Sequence, residues 1–99
     1  MKLRVLREAE QEIDAAAGYY AHEAPGVVGR FFDEVDGALE RLSARPLAYA
    51  AVDRRFRGCV MNRFPYTVIY EGGEAEVVGY AFAHQSQRAG YWRGREPEH

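Results

Sequence analysis

Lys2 to Leu6 alternates polar and apolar side chains, the period-two pattern of a short strand with Leu3 and Val5 on one face. From Glu8 the period changes. Ala9, Ile13, Ala16, Ala17 and Tyr20 recur at steps of three and four, which predicts an amphipathic helix whose first turns carry Glu8, Glu10, Glu12 and Asp14 on a wet outer face. Ala24-Pro25-Gly26 interrupts the pattern, and Pro25 suits the first turn of a second helix, where its missing N–H costs nothing. Val28, Phe31, Phe32, Val35, Leu39 and Leu42 form the apolar stripe of that helix, with Asp33, Glu34, Asp36, Glu40 and Arg41 mainly outside it. Pro46 biases Arg45 away from helical geometry, so the helix should end by about Ala44.

Beyond Pro46 the pattern is that of strands. Arg55 to Met61, Tyr66 to Glu71 and Ala75 to Ala83 are rich in Val, Ile, Tyr and Phe, and Gly72-Gly73 offers the positive φ angles of a tight hairpin. With the opening strand the order is β-α-α-β-β-β, an α+β fold with a helical hairpin on one face of a small antiparallel sheet. Length and composition agree with a single domain over residues 1–99 around one core, since 47% of the chain is hydrophobic, with seven Tyr and five Phe. The charged end, with Gly94 and Pro97, is expected to fray over residues 96–99.

Charge and cysteine content narrow the chemistry. Cys59 is the only cysteine, which excludes an intrachain disulfide, a thiolate zinc cluster and a C-x-x-C redox pair, so a reducing, cytoplasmic setting is the default and no metal or cofactor is expected. No apolar run reaches the length of a membrane span. The net charge of −2 is unevenly placed: residues 1–44 hold five Lys/Arg against nine Asp/Glu, or −4, and residues 45–99 hold eight against six, or +2. If a polyanion is touched, the second half touches it.

The run Asn62-Arg63-Phe64-Pro65-Tyr66-Thr67-Val68-Ile69-Tyr70, then Ala81-Phe82-Ala83-His84 and Arg88-Ala89-Gly90-Tyr91-Trp92-Arg93-Gly94-Arg95, resembles the RelE/ParE superfamily of type II toxins. So do the Tyr19-Tyr20 pair and Arg30-Phe31-Phe32, each in its expected place along nearly the whole chain. The resemblance implies a toxin neutralised by a cognate antitoxin that wraps it in a hetero-oligomer. Two targets are implied: DNA gyrase for ParE-like members, which have no known hydrolytic site, and messenger RNA on the ribosome for RelE-like members, which act as endoribonucleases.

A metal-independent ribonuclease needs cations for the developing charge and a base and acid to move protons. Arg55, Arg57, Arg63 and Arg88 are the candidate cations, His84 the candidate base, and Tyr91 the candidate acid or stacking platform; His84, Arg88 and Tyr91 form the catalytic set if the chain is RelE-like. Against this, RelE-like nucleases carry basic side chains along the second strand and an Arg early in the third, where this chain has Gly58, Val60 and Thr67. A domain that docks among ribosomal phosphates is also normally basic. Gyrase is therefore the favoured target, with Arg55, Arg57, Arg63, Arg88, Trp92 and Arg95 as the expected target-binding residues. Plainer roles compete: His84 as a structural histidine, Tyr91 and Trp92 as anchors of the C-terminal segment, the arginines as a solvated strand face, and Cys59 as a small buried hydrophobe. A non-toxic, antitoxin-binding or autoregulatory module is a third possibility. Because the core strands should end near Ala83, truncation after Ser86 is expected to leave a folded domain without toxicity.

Overall fold

A computed structural model of the chain describes residues 2–97. Strand β1 (Lys2–Val5) passes through Leu6 straight into helix α1 (Arg7–Glu23), whose first turn closes with Glu10 N–H donating to the Leu6 carbonyl at 3.0 Å. Ala9, Ala16 and Ala17 are its buried residues, and side chains this small let the helix lie close to the sheet. Pro25 does not open the second helix. It heads a separate 3-10 turn (Pro25–Val27), and helix α2 (Val28–Ala44) follows, burying Phe31, Val35, Ala38 and Leu42. Phe32, expected on the apolar stripe, points outward at 40% exposure, because adjacent helical positions diverge by about 100° and Phe31 takes the inner one. The helix ends at Ala44, as Pro46 requires.

Strands β2 (Ala50–Ala51), β3 (Arg57–Val60), β4 (Tyr66–Gly72) and β5 (Glu76–His84) complete a sheet ordered β1-β5-β4-β3-β2 among the described residues. The pairing is antiparallel from β2 to β5, whereas β1 lies parallel to β5, with Leu3 opposite Val77 and Val5 opposite Gly79. The sheet is thus not purely antiparallel: β1 sits beside the last strand of the meander, reached by a crossover through the helices. Strand β2 was not expected, since two alanines carry little strand propensity. It forms because Ala50 pairs with Gly58 and the Asp53 carboxylate closes the next loop, accepting hydrogen bonds from the Arg55 and Phe56 amides at 2.8 Å each.

The β4–β5 hairpin differs from the tight turn expected. Gly72 pairs with Val77 and the Gly73 N–H donates to the Glu76 carbonyl at 2.8 Å, a longer loop that turns without positive φ. Gly90, at φ 82°, is the positive-φ glycine among the described residues. A register shift at Ile69/Tyr70 places Ile69 opposite Ala81 and Tyr70 opposite Gly79, so Tyr80 is the extra residue of a β-bulge.

That bulge matters because the molecule has two apolar clusters rather than the one core expected. On the helix side, Phe31 is fully buried among Tyr20, Phe64 and Phe82 at ring separations of 5.3, 5.2 and 5.8 Å. On the other side Leu6, Phe56, Ile69, Val78, Tyr80 and Ala81 are covered by Trp92. The C-terminal segment supplies that cover, folding back through successive turns from Gln85 to Gly94. Of the expected frayed tail, Glu96 and Pro97 have no regular structure, and residues 98 and 99 lie outside the described residues.

Candidate functional site

Glu12 ties the C-terminal segment to α1. Its spacing from Ala9 and Ala16 puts it on the edge of the buried stripe rather than on the wet face expected for it, and there it accepts four hydrogen bonds. The Arg95 guanidinium donates to both carboxylate oxygens at 2.8 and 3.0 Å, the Tyr91 hydroxyl donates at 2.6 Å and the Phe82 amide at 3.0 Å. Burial works against ionisation of Glu12, but the bonds from Arg95, Tyr91 and Phe82 outweigh it and hold the carboxyl below its ordinary range. The Tyr91 phenol is pushed the other way, upward, by burial and then by the Glu12 hydrogen bond and charge.

A second set of contacts holds the β2–β3 loop against the bulge. Arg55 donates to Glu71 at 2.7 Å and to the Tyr80 hydroxyl at 2.6 Å, and its guanidinium lies 4.8 Å from the Phe56 ring centre. Arg93 pairs with Asp53, whose carboxyl is brought down to about 2, first by the Phe56 amide, then by Arg93 and the Arg55 amide. Arg57 is half-buried and donates to the Tyr49 carbonyl at 2.7 Å. Trp92 is 5% exposed, packed edge-on to Phe56, with its indole N–H buried and without a hydrogen-bond partner.

The residues picked out from the sequence therefore separate into groups. Tyr91 and Arg95 meet at Glu12, and Trp92 is interior. Arg55 and Arg57 are engaged within the sheet. Arg63 and Arg88 are exposed, with no hydrogen bond or ion pair on their guanidinium groups among the described residues. His84 sits at the end of β5 with its ring edge-on to Tyr66 at 5.1 Å. The Ser86 amide donates to His84 Nδ1 at 3.0 Å, which fixes the proton of the neutral ring on Nε2. His84 and Tyr91 are not hydrogen-bonded to each other, so the expected acid and base are held by different partners. Glu12, Asp53, Glu71 and Tyr80 organise these contacts and were not singled out beforehand. For Glu12 a signal existed, a carboxylate at an apolar-stripe position of a helix; the bulge that aims Tyr80 had none.

Between α1 and the ends of β4 and β5 lies an open groove of about 610 Å³. Tyr66 stacked on Phe82 at 4.5 Å and 14° forms part of its lining, along with Ala15, Tyr19, Tyr20 and His84. Tyr19 is 59% exposed, so an aromatic surface stands open to water. On the opposite face of the sheet lie Gly58, Val60 and Thr67, the uncharged residues at the positions where the resemblance to RelE-like nucleases leads one to expect basic side chains.

The comparisons with known proteins agree with this architecture. Residues 3–89 match the family described as the ParE toxin of the type II toxin-antitoxin system, parDE. Toxin ParE2 of Mycobacterium tuberculosis, found in two strains, is 29% identical over 84 residues, covering 84% of this chain and 80% of the relative. A chain of the chromosomal ParDE TA system from P. aeruginosa superposes with a TM-score of 0.73 at 17% identity, over 85% of this chain and 95% of that one, which shows the same fold. With the family match spanning nearly all of the described chain, this protein belongs to the ParE toxin family of type II toxin–antitoxin systems.

Proposed function

We propose that the protein arrests growth by inhibiting DNA gyrase in the cytoplasm, and that a cognate antitoxin neutralises it by covering the aromatic groove between α1 and the β4–β5 ends. The observation that carries the choice of target is the engagement of Tyr91, the proton donor a ribonuclease would need, together with the missing cations on the outer sheet face. Tyr91 is bound to Glu12 with its phenol pushed above the ordinary range, a poor proton donor. Gly58, Val60 and Thr67 put no cation in the middle of that sheet face, where a phosphate in flight would need the electrostatic stabilisation that dominates such reactions. Inhibition of a protein target requires neither. The groove supports the antitoxin reading, since an exposed Tyr19 beside an apolar floor gains by being covered.

Two reactions run side by side test the proposal. Purified protein is expected to block gyrase supercoiling, with relief by stoichiometric antitoxin, and to leave messenger RNA intact on programmed ribosomes. Ribosome-dependent cleavage within the A-site codon, lost in Arg88→Ala or His84→Ala, would overturn it.

A further inference from the structure

The sheet face turned away from the helices is not covered evenly. The C-terminal segment lies over Phe56, Tyr80 and Ala81, whereas Val60, at 69% exposure, and Val52, at 45%, remain open. Register places Val60 opposite Thr67, and Thr67 opposite Ala83, in one row across β3, β4 and β5. In the next row Gly58 lies opposite Ile69. The space a side chain at Gly58 would fill is taken by methyl groups: a Cβ there would stand 2.9 Å from Thr67 Cγ2 and 3.5 Å from Val52 Cγ2. The result is a shallow, continuous aliphatic surface made by Val52, Gly58, Val60 and Thr67.

Cations border it. Arg63 lines the same hollow of about 320 Å³ as Val60 and Thr67, and the loop that carries Val52 also carries the exposed Arg54. Neither guanidinium has a partner among the described residues, whereas Arg55, Arg93 and Arg95 are matched to Glu71, Asp53 and Glu12. Exposed methyls between unmatched cations suit a protein segment better than a phosphate backbone, which favours dense positive charge and gains nothing from aliphatic contact.

We propose that this surface docks the toxin onto its target protein, and that the segment it receives carries aliphatic side chains flanked by carboxylates. The inference rests on the reading that growth arrest works through a protein, and it places the target on the sheet face turned away from the helices, which meets the groove assigned to the antitoxin at Pro65 and Tyr66.

The test uses the full chain with Val60→Lys and, separately, Arg63→Glu, measuring growth arrest on induction, thermal midpoint, antitoxin affinity, oligomeric state and gyrase inhibition. Both variants should keep the wild-type midpoint and antitoxin affinity while losing growth arrest, with at least a tenfold weaker inhibition of gyrase. Arg63 is exposed and unpaired, so Arg63→Glu decides the matter if Val60→Lys fails to fold. Val60→Lys adds a cation, so undiminished or stronger toxicity would overturn the proposal in favour of a nucleic-acid contact. Equal loss of antitoxin affinity would overturn it in favour of the antitoxin, and a wild-type dimer made monomeric by either variant would do so in favour of a second copy. If wild-type protein arrests growth without touching gyrase and both variants are harmless, docking stands and the gyrase reading fails. A wild-type chain that arrests nothing overturns both.

Discussion

Glu12 joins the first helix to the last turn of the chain, 83 positions away, through a two-pronged contact with Arg95. With side-chain exposures of 17% and 20%, the pair is shielded from solvent screening, and hydrogen bonds to charged groups in such places contribute about 1.5–3 kcal/mol. Since the folded carboxyl titrates below its ordinary value of 4.5, its stabilisation is present above that pH and is lost as pH falls through the folded value. Glu12→Gln should therefore lower stability by about 1.5–3 kcal/mol at pH 7. The gap should close as the pH drops below 4.5. Urea unfolding of both proteins from pH 7 to pH 3 checks this, and because Asp53 is common to both, its own low titration cancels. A gap that stays constant down to pH 3 would show that Glu12 acts by shape rather than by charge.

The C-terminal segment acts as an element in its own right. It was expected to be dispensable for folding because the core strands end near Ala83, but it closes the second apolar cluster. Removing everything after Ser86 strips Trp92 from Phe56 and leaves Glu12 half-buried without Arg95 and Tyr91. Loss of a buried Trp alone costs about 3–5 kcal/mol, a large part of the roughly 5–15 kcal/mol that a small domain has. The truncated chain is thus expected to lose cooperative unfolding, read by near-ultraviolet circular dichroism and a urea transition. A sharp transition near the full-length midpoint would mean the segment is a passenger. Trp92→Phe, which keeps an aromatic ring against Phe56 and removes the unpartnered indole N–H, should be tolerated far better than Trp92→Ala.

For the molecule as a whole, ion pairs join the acidic first half to the basic second half, Glu12 to Arg95 and Arg4 to Glu76, while Asp53 and Glu71 neutralise Arg93 and Arg55 within the second half. What remains for partners is an aromatic groove on one side and an aliphatic surface with unmatched arginines on the other. If the antitoxin fills the groove, Tyr19→Ala should weaken it at least tenfold, about 1.4 kcal/mol, without lowering the thermal midpoint, because Tyr19 is mostly exposed. Calorimetric titration of the purified pair measures it. An unchanged affinity would move the antitoxin off the groove.

The sequence by itself determined both helices and four of the five strands, because hydrophobic periodicity follows directly from the direction side chains take along each kind of backbone. Val35 and Leu42, at helical spacing on the apolar stripe, needed no partner to be recognised as interior. The signature from Asn62 to Tyr70 likewise carried the family. Only the tertiary structure decided the second cluster, the parallel seat of β1, the two-residue β2 and the bulge at Tyr80. These depend on which distant segments meet, and a local pattern holds no record of that. The same limit applies to the site: an arginine reads alike whether it faces a carboxylate or water, and only the fold separates Arg95, bound to Glu12, from Arg63, left open for a partner.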